Sequence, residues 1–314
     1  MDRFIGIDGG GSITTALSAD RDGKSLAAAN SSPANIHALS TKALSQLIRN
    51  ILDQLHAGSA ADVHIVAGFA GAGHAAGRAS VLNVFQNLGY ENRCRVVTDM
   101  EIALKGALPE GPGIVLNSGT GSFAYGRSAN GRTGRCGGWG YLLGDDGSGY
   151  ALGLEAIRRS LKSCDKALPE TVVSDRIRNK LELGEITDIV PGVYSGNISP
   201  SVIASCAQIV LDAASEGDPV SKEIIEEASA DLALLAISLA RKLKMDRPVK
   251  LCLTGSVLQK SAVMLPFLKD ILNDSFRFVN PEYPPVAGAV MMAVEYSGLN
   301  ISDTIRSNLK KIYV

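Results

Sequence analysis

Hydrophobic and polar positions in the first third of the chain predict three short strands, followed by alternating helices and strands. Apolar runs at 4–7, 15–19 and 25–29 predict the strands, and Asp22-Gly23 favours a hairpin turn because glycine accepts a positive φ. Apolar residues then recur at helical spacing from Ile36 to Leu55. The predicted order is β-β-β-α-β-α-β-α. The later elements are expected at 63–68 (strand), 74–88 (helix), 95–98 (strand) and 100–108 (helix).

The second part of the chain opens in the same way, which indicates a weak internal repeat. Strands at 113–116 and 123–126 flank a turn of glycines and hydroxyl residues at 117–122, and Asn130-Gly131 predicts another hairpin. A duplicated fold with two such turns makes a cleft between domains, where ligands preferentially bind. Further helices are expected near 149–161, 170–183, 200–215 and 219–243, strands at 250–253 and 276–279, and a helix from about 286.

Glycine makes up 33 of the 314 residues, and the excess is concentrated in two places. Residues 6–11 contain four glycines and residues 113–149 contain twelve. A glycine turn between strands leaves backbone N–H groups open to phosphate oxygens. Asp8 ends the strand beside the first turn and can hold Mg²⁺, directly or through water, because that ion takes only one or two carboxylates. The alternative is that these segments are ordinary turns.

Composition and charge exclude several classes of protein. With 46% hydrophobic and 20% charged residues, the chain is too apolar for general disorder. Its net charge of −1 without a basic stripe argues against nucleic-acid binding, and its apolar stretches are too short to cross a bilayer. The five cysteines and four histidines are dispersed, which favours reduced thiols over a zinc site. We expect a cytoplasmic protein of two domains with no nucleic-acid or membrane partner.

Two other nucleotide-binding motifs can be compared with the sequence. The Walker pattern is absent. Residues 71–76 match the G-x-G-x-x-A pattern of NAD-binding folds, and Asp99 follows 23 residues after Ala76, near the position of a ribose-binding acid. Two observations argue against NAD binding. The strand before this motif would have to be the first strand of the fold, yet it begins only near residue 63, and both glycine clusters would have no role.

Four segments together resemble the N-acetylglucosamine kinase group, which belongs with the BadF/BadG/BcrA/BcrD-type ATPases in the actin/hexokinase/Hsp70 superfamily. The resemblance runs from Phe4 to about Ala293 and ends with Pro284-Pro285-Val286-Ala287-Gly288-Ala289. Its most specific part is the stretch at 137–150. The four segments are Asp8-Gly9-Gly10-Gly11-Ser12, Gly68-Phe69-Ala70-Gly71-Ala72-Gly73, Asn117-Ser118-Gly119-Thr120-Gly121-Ser122 and Gly137-Gly138-Trp139-Gly140-Tyr141-Leu142-Leu143-Gly144-Asp145-Asp146-Gly147-Ser148-Gly149-Tyr150.

The resemblance implies an α/β fold of duplicated ribonuclease-H-like domains, as in actin-like ATPases, that face each other across a nucleotide cleft. The N-terminal domain is expected at 1–109 and the C-terminal domain, with a helical insertion, at 110–296. The C-terminal helix, at about 297–314, is expected to return to the N-terminal domain. A homodimer is expected.

The resemblance also assigns roles to individual residues. Asp8 looks like the carboxylate associated with Mg²⁺ through water, and Asp99 like the general base. The first motif departs from the family at Ile13, where a basic residue is usual. The ATP-binding residues implied are Gly10, Gly11, Ser12, Gly119, Thr120, Gly121, Gly255 and Ser256. The sugar-contacting residues implied are Asn35, Asp99, Gly138, Trp139 and Asp145.

From the residues alone, several of these positions have a structural alternative. Asp99 could cap the helix that follows it, and Asp145 and Asp146 could cap a helix starting near Ser148. Asn35 could likewise cap the next helix. Trp139 is the only tryptophan and is set between glycines, which favours the wall of a binding site over a place in the core.

The leading functional hypothesis is ATP-dependent phosphorylation of an amino sugar at its 6-hydroxyl, with N-acetylglucosamine first. Glucosamine, N-acetylmuramic acid and N-acetylmannosamine remain open. A second hypothesis is an activator ATPase with an iron–sulfur cluster shared between subunits, although those relatives have a cysteine just before the second glycine turn and this chain has Leu116-Asn117-Ser118. A third is a sugar sensor without catalytic activity.

Overall fold

The computed structural model describes residues 2–11, 13–36, 39–57 and 62–313. Within these ranges the strands form two five-stranded sheets. The first sheet contains Arg3–Gly9 (β1), Thr14–Ala19 (β2), Ser25–Ser31 (β3), Val63–Phe69 (β4) and Cys94–Thr98 (β5). The second contains Gly113–Ser118 (β6), Ser122–Arg127 (β7), Thr133–Gly137 (β8), Val249–Thr254 (β9) and Phe276–Val279 (β10).

Helices cover the sheets and form a large insertion between β8 and β9. Those associated with the first sheet are Thr41–Gln54 (α1), Ala75–Asn87 (α2), Asp99–Ala107 (α3), Pro285–Tyr296 (α12) and Asp303–Lys310 (α13). The insertion contains Gly149–Cys164 (α4), Val172–Lys180 (α5), Ile189–Tyr194 (α6), Pro200–Ser205 (α7), Ala207–Glu216 (α8) and Pro219–Lys242 (α9). Ser256–Lys260 (α10) and Met264–Leu272 (α11) lie between β9 and β10. Short 3₁₀ helices cover Ile186–Asp188, Asn273–Ser275 and Lys311–Tyr313.

The two sheets have the same strand order, which confirms the predicted duplication. The orders are β3-β2-β1-β4-β5 and β8-β7-β6-β9-β10. In each sheet the first three strands are antiparallel neighbours, and the last two run parallel to the first strand. A mixed sheet of this order is not the doubly wound parallel sheet of an NAD-binding fold, so the NAD interpretation of residues 71–76 is wrong.

The chain divides into two compact units, each with its own hydrophobic core. One unit contains residues 1–111 and 280–314, and the other contains residues 112–279. The predicted end of the second domain at residue 296 is therefore too late. The reason is α12, which packs on β1, β4 and α3 of the first unit, so that the chain has already returned to that unit by residue 280.

Three glycines let α12 approach its neighbours at backbone distance. A Cβ added at Gly6 of β1 would lie 2.5 Å from the carbonyl oxygen of Val286. One added at Gly106 of α3 would lie 2.5 Å from the carbonyl oxygen of Pro284, and one at Gly288 would lie 2.3 Å from that of Ile102. Side chains at these positions would separate α12 from both elements, because real Cβ atoms do not come this close to backbone oxygen.

Helix boundaries differ from the sequence predictions at identifiable caps and breaks. The first helix starts at Thr41 and not near Ile36, because the Ser40 side chain accepts a hydrogen bond from the Ala43 N–H. The helix expected at 200–215 is divided at Cys206. Helix α6 has no counterpart among the predicted elements. Among the described residues, no helix is both long enough and apolar enough to span a membrane.

The close approach of α12 predicts an unusual effect of a glycine-to-alanine substitution. In a helix interior this change normally stabilises by up to about 1 kcal/mol. In Gly288→Ala the new methyl group would press on the α3 backbone, so we expect a net loss of about 1–3 kcal/mol of unfolding free energy, measured by urea denaturation. The matched control is Gly73→Ala, because a Cβ at Gly73 meets nothing within 4 Å. A Gly288→Ala protein at least as stable as the wild type would contradict the packing argument.

Candidate active site

Two carboxylates lie at the same edge of the first sheet. Asp8 is near the carboxyl end of β1, where it pairs with Gly68 of the parallel strand β4. Phe69 of β4 pairs with Thr98 of β5, and Asp99 follows directly as the first residue of α3. Parallel strands bring their carboxyl ends to one edge, so the fold brings these two predicted residues together.

The environment of Asp8 disfavours its charged form. Burial, together with the negative charge of Asp99, raises the pKa of Asp8 from 3.8 to about 7, and burial makes the larger contribution. A nearby cation would stabilise the ionised form of a buried carboxylate that lies next to a second one. Asp8 therefore has the character expected of a group that works with a positively charged ligand.

Asp99 is not the cap of α3, so the capping alternative is wrong. Thr98 is the N-cap residue, and its hydroxyl accepts from the Glu101 N–H at 3.2 Å. Glu101 reaches back to the Thr98 N–H at 2.8 Å, which completes a capping box. The Asp99 carboxylate accepts from the Met100 N–H at 3.0 Å, which holds the carboxyl group in one orientation.

The first glycine turn connects β1 to β2 and is anchored from two sides. The carbonyl oxygens of Gly9 and Gly10 accept hydrogen bonds from the N–H groups of Ala70 and Ala34. The Gly10 N–H donates to the carbonyl oxygen of Ile13 at 3.2 Å and so serves the turn itself. Gly11 lies within the same turn, whereas Ser12 lies outside the described residues. Ile13 is about half exposed, with 51% of its surface accessible.

The bond from Ala34 brings Asn35 next to the first glycine turn. Ile36, on its other side, donates through its N–H to the carbonyl oxygen of Ala70 at 3.2 Å. Since Ser40 caps α1, Asn35 does not cap that helix, and the capping alternative is wrong here too. The first unit thus gathers Asp8, the glycine turn, Asn35 and Asp99 around one edge of its sheet.

The second glycine turn connects β6 to β7 and is closed by the start of α4. The Gly119 N–H donates to the carbonyl oxygen of Gly121 at 3.0 Å. The first two N–H groups of α4 donate to this turn, from Gly149 to Gly119 at 2.7 Å and from Tyr150 to Thr120 at 3.2 Å. These bonds satisfy helix N–H groups that would otherwise lack partners and fix the shape of the turn.

Two serines that the sequence analysis did not assign hold the 137–149 loop against this turn. The Ser118 hydroxyl donates to the carbonyl oxygen of Gly147, and the Ser122 hydroxyl donates to that of Asp146, both at 2.7 Å. Both serines are buried. Their position on either side of the glycines was the available signal, but the carbonyl groups that they contact lie more than twenty residues away in the sequence.

The segment Thr254-Gly255-Ser256 lies directly beside the second glycine turn. Gly255 has a φ of 87°, and a Cβ there would lie 2.3 Å from the carbonyl oxygen of Ser118. A Cβ at Gly119 would be 3.8 Å from the Ser256 nitrogen, and the Thr254 hydroxyl donates to the Asn117 side chain at 3.1 Å. The structure therefore brings the predicted ATP-binding residues of the second unit together.

Asp145 is built into the 137–149 loop beside the same turn. Its φ of 61° is unusual for a residue other than glycine. Burial raises the pKa of Asp145, while hydrogen bonds from the N–H groups of Ser122 and Gly140 oppose the rise. A Cβ at Gly121 would lie 2.7 Å from an Asp145 carboxylate oxygen. Ser148 caps α4, so neither Asp145 nor Asp146 does, and that alternative is wrong.

Trp139 projects from the loop and is not a core residue, since 60% of its surface is exposed. The Arg135 guanidinium carbon lies 4.0 Å from the centre of the Trp139 ring. Arg135 Nη1 also donates to the carbonyl oxygen of Gly138 at 2.9 Å. Arg135 was not among the predicted site residues; its position four residues before the only tryptophan was the available signal, but the contact depends on how the glycines between them fold the chain back.

Mg²⁺ is the metal that the resemblance implies, and the side chains fit it. Within the described ranges, no group of three or more His, Cys, Asp or Glu side chains could hold a metal ion without further ligands. Mg²⁺ does not need such a group, because it binds through one or two carboxylates, water and substrate phosphates. Asp8, a buried carboxylate with a raised pKa, is suited to this kind of site.

Comparison with known proteins identifies the family. The family model for the BadF/BadG/BcrA/BcrD ATPases matches residues 5–293. The chain belongs to this ATPase family. An N-acetylmuramic acid/N-acetylglucosamine kinase from Clostridium acetobutylicum is 36% identical over 293 residues, which are 91% of this chain and 93% of that protein.

Two further comparisons support the family and the fold. An N-acetyl-D-glucosamine kinase from Dictyostelium discoideum is 28% identical over 310 residues, which cover 93% of this chain and 97% of that protein. The solved structure of a candidate N-acetylglucosamine kinase from Chromobacterium violaceum aligns with a TM-score of 0.76 at 24% identity. That alignment covers 93% of this chain and 99% of the other, and it shows a shared fold.

The raised pKa of Asp8 predicts a pH-dependent effect of Asp8→Asn on stability. Because the folded-state pKa lies above 3.8, folding takes up a proton between about pH 4 and pH 7. The stability contributed by protonated Asp8 is full below pH 4 and is lost as the pH rises through 7. Asparagine carries no charge at any of these pH values. The melting temperature of Asp8→Asn minus that of the wild type, measured in the presence of EDTA, should therefore increase from pH 5 to pH 8.

The control for this experiment is Asp22→Asn, in an exposed turn that asparagine suits equally well. Its melting temperature relative to the wild type should not change between pH 5 and pH 8. If the Asp8→Asn difference were also independent of pH, the Asp8 carboxyl group would not titrate in this range.

Proposed function

We propose that this chain transfers the γ-phosphoryl group of ATP to the 6-hydroxyl of an amino sugar, with N-acetylglucosamine as the first candidate. The observation that carries the proposal is the pair of carboxylates, Asp8 and Asp99, at one edge of the first sheet in a member of an ATPase family. One acid has a raised pKa suited to a cation, and the other is held at a helix start.

The relatives support an amino sugar as the acceptor. The Clostridium and Dictyostelium proteins are named as kinases of N-acetylglucosamine, and the first also of N-acetylmuramic acid. Both match this chain over more than nine-tenths of its length. Glucosamine, N-acetylmuramic acid and N-acetylmannosamine remain alternative acceptors.

In the proposed reaction, the glycine turns bind the nucleotide. The turn at Gly119–Gly121, with Gly255 and Ser256 beside it, would bind the nucleotide in the second unit. Gly10, Gly11 and Ser12 are the phosphate-binding residues that we propose in the first unit. Glycine suits these positions because a backbone without side chains lets N–H groups reach phosphate oxygens closely.

Asp8 would hold Mg²⁺, directly or through water. When bound, Mg²⁺ would supply positive charge that neutralises the charge developing on the phosphoryl group during transfer. Asp8 would then be ionised at a lower energetic cost, because a nearby cation would offset both its burial and the charge of Asp99.

Asp99 would act as the general base. A sugar hydroxyl that attacks the γ-phosphoryl group must lose its proton, and a fixed carboxylate can both orient the hydroxyl and accept that proton. The hydrogen bond from the Met100 N–H keeps the Asp99 carboxyl group oriented before the sugar arrives. Asn35, Gly138, Trp139 and Asp145 are proposed to contact the sugar, with the Trp139 ring packing against its C–H groups.

The first test measures ADP release by the purified protein with ATP, Mg²⁺ and a panel of amino sugars. Sugar-dependent release of ADP, together with a sugar 6-phosphate identified by mass spectrometry, would support the proposal. ATP turnover that does not respond to any sugar would contradict it. A sensor would bind sugar without consuming ATP, and an iron–sulfur activator would contain iron in the purified protein.

Asp99→Asn tests the proposed base. Asparagine keeps an oxygen that can accept from the Met100 N–H but cannot take up the sugar proton, so kcat should fall by about 10²–10⁴-fold while ATP binding persists. Steady-state kinetics and nucleotide titration measure the two effects. Glu91→Gln, at an exposed site of the same unit, serves as the control and should retain full activity. An Asp99→Asn enzyme with wild-type turnover would exclude Asp99 as the base.

A further inference from the structure

Arg135 carries a fixed positive charge beside Trp139. It lies on β8, the edge strand of the second sheet, opposite Tyr125 of β7. Its guanidinium group stacks on the Trp139 ring, with a distance of 4.0 Å from the guanidinium carbon to the ring centre. Nη1 donates to the Gly138 carbonyl oxygen at 2.9 Å. Two contacts therefore hold this side chain against the two loop residues proposed to contact the sugar.

The charge of Arg135 is not neutralised by a carboxylate. Within the part of the chain that the structure describes, none of the ion pairs involves Arg135. A guanidinium group has five N–H donors in a planar fork, and the Gly138 carbonyl oxygen engages one side of it. The arrangement leaves a cation that is suited to bidentate binding of a carboxylate.

The surrounding loop explains why such a cation matters for substrate choice. The carboxylates of Asp145 and Asp146 belong to the same loop, and the Asp145 carboxylate accepts hydrogen bonds from the backbone N–H groups of Ser122 and Gly140. An acceptor sugar with a carboxylate would be repelled by this negative charge unless a cation lay close to it. Lys242 adds a second positive charge nearby, since its Nζ donates to the Arg135 carbonyl oxygen at 3.0 Å.

We propose that Arg135 determines specificity by binding a carboxylate on the acceptor sugar, which makes N-acetylmuramic acid a substrate. This inference rests on the proposed sugar kinase activity. It is consistent with the Clostridium relative, which is named for both N-acetylmuramic acid and N-acetylglucosamine. By the same electrostatic reasoning, Arg135 opposes a sugar with a protonated amine, such as glucosamine.

The test compares three acceptors of different charge at pH 7: N-acetylmuramic acid (negative), N-acetylglucosamine (neutral) and glucosamine (positive when protonated). In Arg135→Met, the kcat/KM for N-acetylmuramic acid relative to N-acetylglucosamine should fall about 10- to 100-fold, the usual effect of losing a hydrogen bond to a charged group. The kcat/KM for glucosamine relative to N-acetylglucosamine should rise. Arg135→Lys keeps the charge without the planar fork and should give a smaller fall, about 3- to 10-fold.

Arg132→Met is the matched control, because Arg132 is an exposed arginine in the turn before β8. All three kcat/KM values should stay at wild-type levels in this variant. Melting temperature and the fluorescence of Trp139, the only tryptophan, establish whether each variant is folded and whether the ring has moved. If Arg135→Met does not fold, Arg135→Lys carries the comparison.

The outcomes separate this inference from the proposed function. An equal fall for all three sugars would mean that Arg135 only supports Trp139, and the inference would be overturned. A wild-type enzyme that phosphorylates N-acetylglucosamine but not N-acetylmuramic acid would overturn it as well. A wild-type protein that phosphorylates none of the three sugars would instead contradict the kinase proposal itself.

Discussion

The contact of α12 with β1 and α3 is the constraint on which the first unit depends. It is made through backbone atoms, with Gly6, Gly106 and Gly288 leaving no space for side chains. Asp8 is on β1, two residues after Gly6, and Asp99 begins α3, the helix that contains Gly106. One helix therefore sets the position of the two elements that carry the acids, so a change in its packing would reach both carboxylates without touching either.

This rigid support holds an arrangement that is electrostatically unfavourable without a ligand. A buried carboxylate with a pKa of about 7 beside a second carboxylate reduces the stability of the folded state at neutral pH. The extensive apolar packing of α12, whose inner face is almost wholly buried, offsets this cost. Proteins commonly retain such local instability where a charged ligand must bind, because removing it would remove the site as well.

Much of this fold follows from local pattern, whereas the contacts that shape the site do not. Apolar runs and turn signals predicted the strands of both sheets. Asp8 and Asp99 were assigned roles through the family resemblance, and the pairing of the strands is what shows their shared edge. The return of the chain at residue 280 was missed because α12 has the pattern of an ordinary apolar helix, and its one glycine, Gly288, shows its partner only through the contact with Gly106. The Ser118 hydroxyl bond joins segments that are distant in the sequence, and no local pattern encodes such a pairing. The Arg135 stack is local, but it depends on how the glycines beside Trp139 fold the chain back, which hydrophobic periodicity does not describe.

The glycine excess can now be understood as a set of different steric requirements. Gly288 is needed because a helix lies against it, and Gly255 because its φ is positive and a carbonyl oxygen lies beside it. Gly121 is needed because the Asp145 carboxylate occupies the space of its missing side chain. The second glycine turn and the loop that carries Asp145 are therefore in direct contact. The hydroxyl groups of Ser118 and Ser122 add two hydrogen bonds between them. The second glycine turn and the Asp145 carboxylate therefore constrain each other's position, because a side chain at Gly121 would displace Asp145.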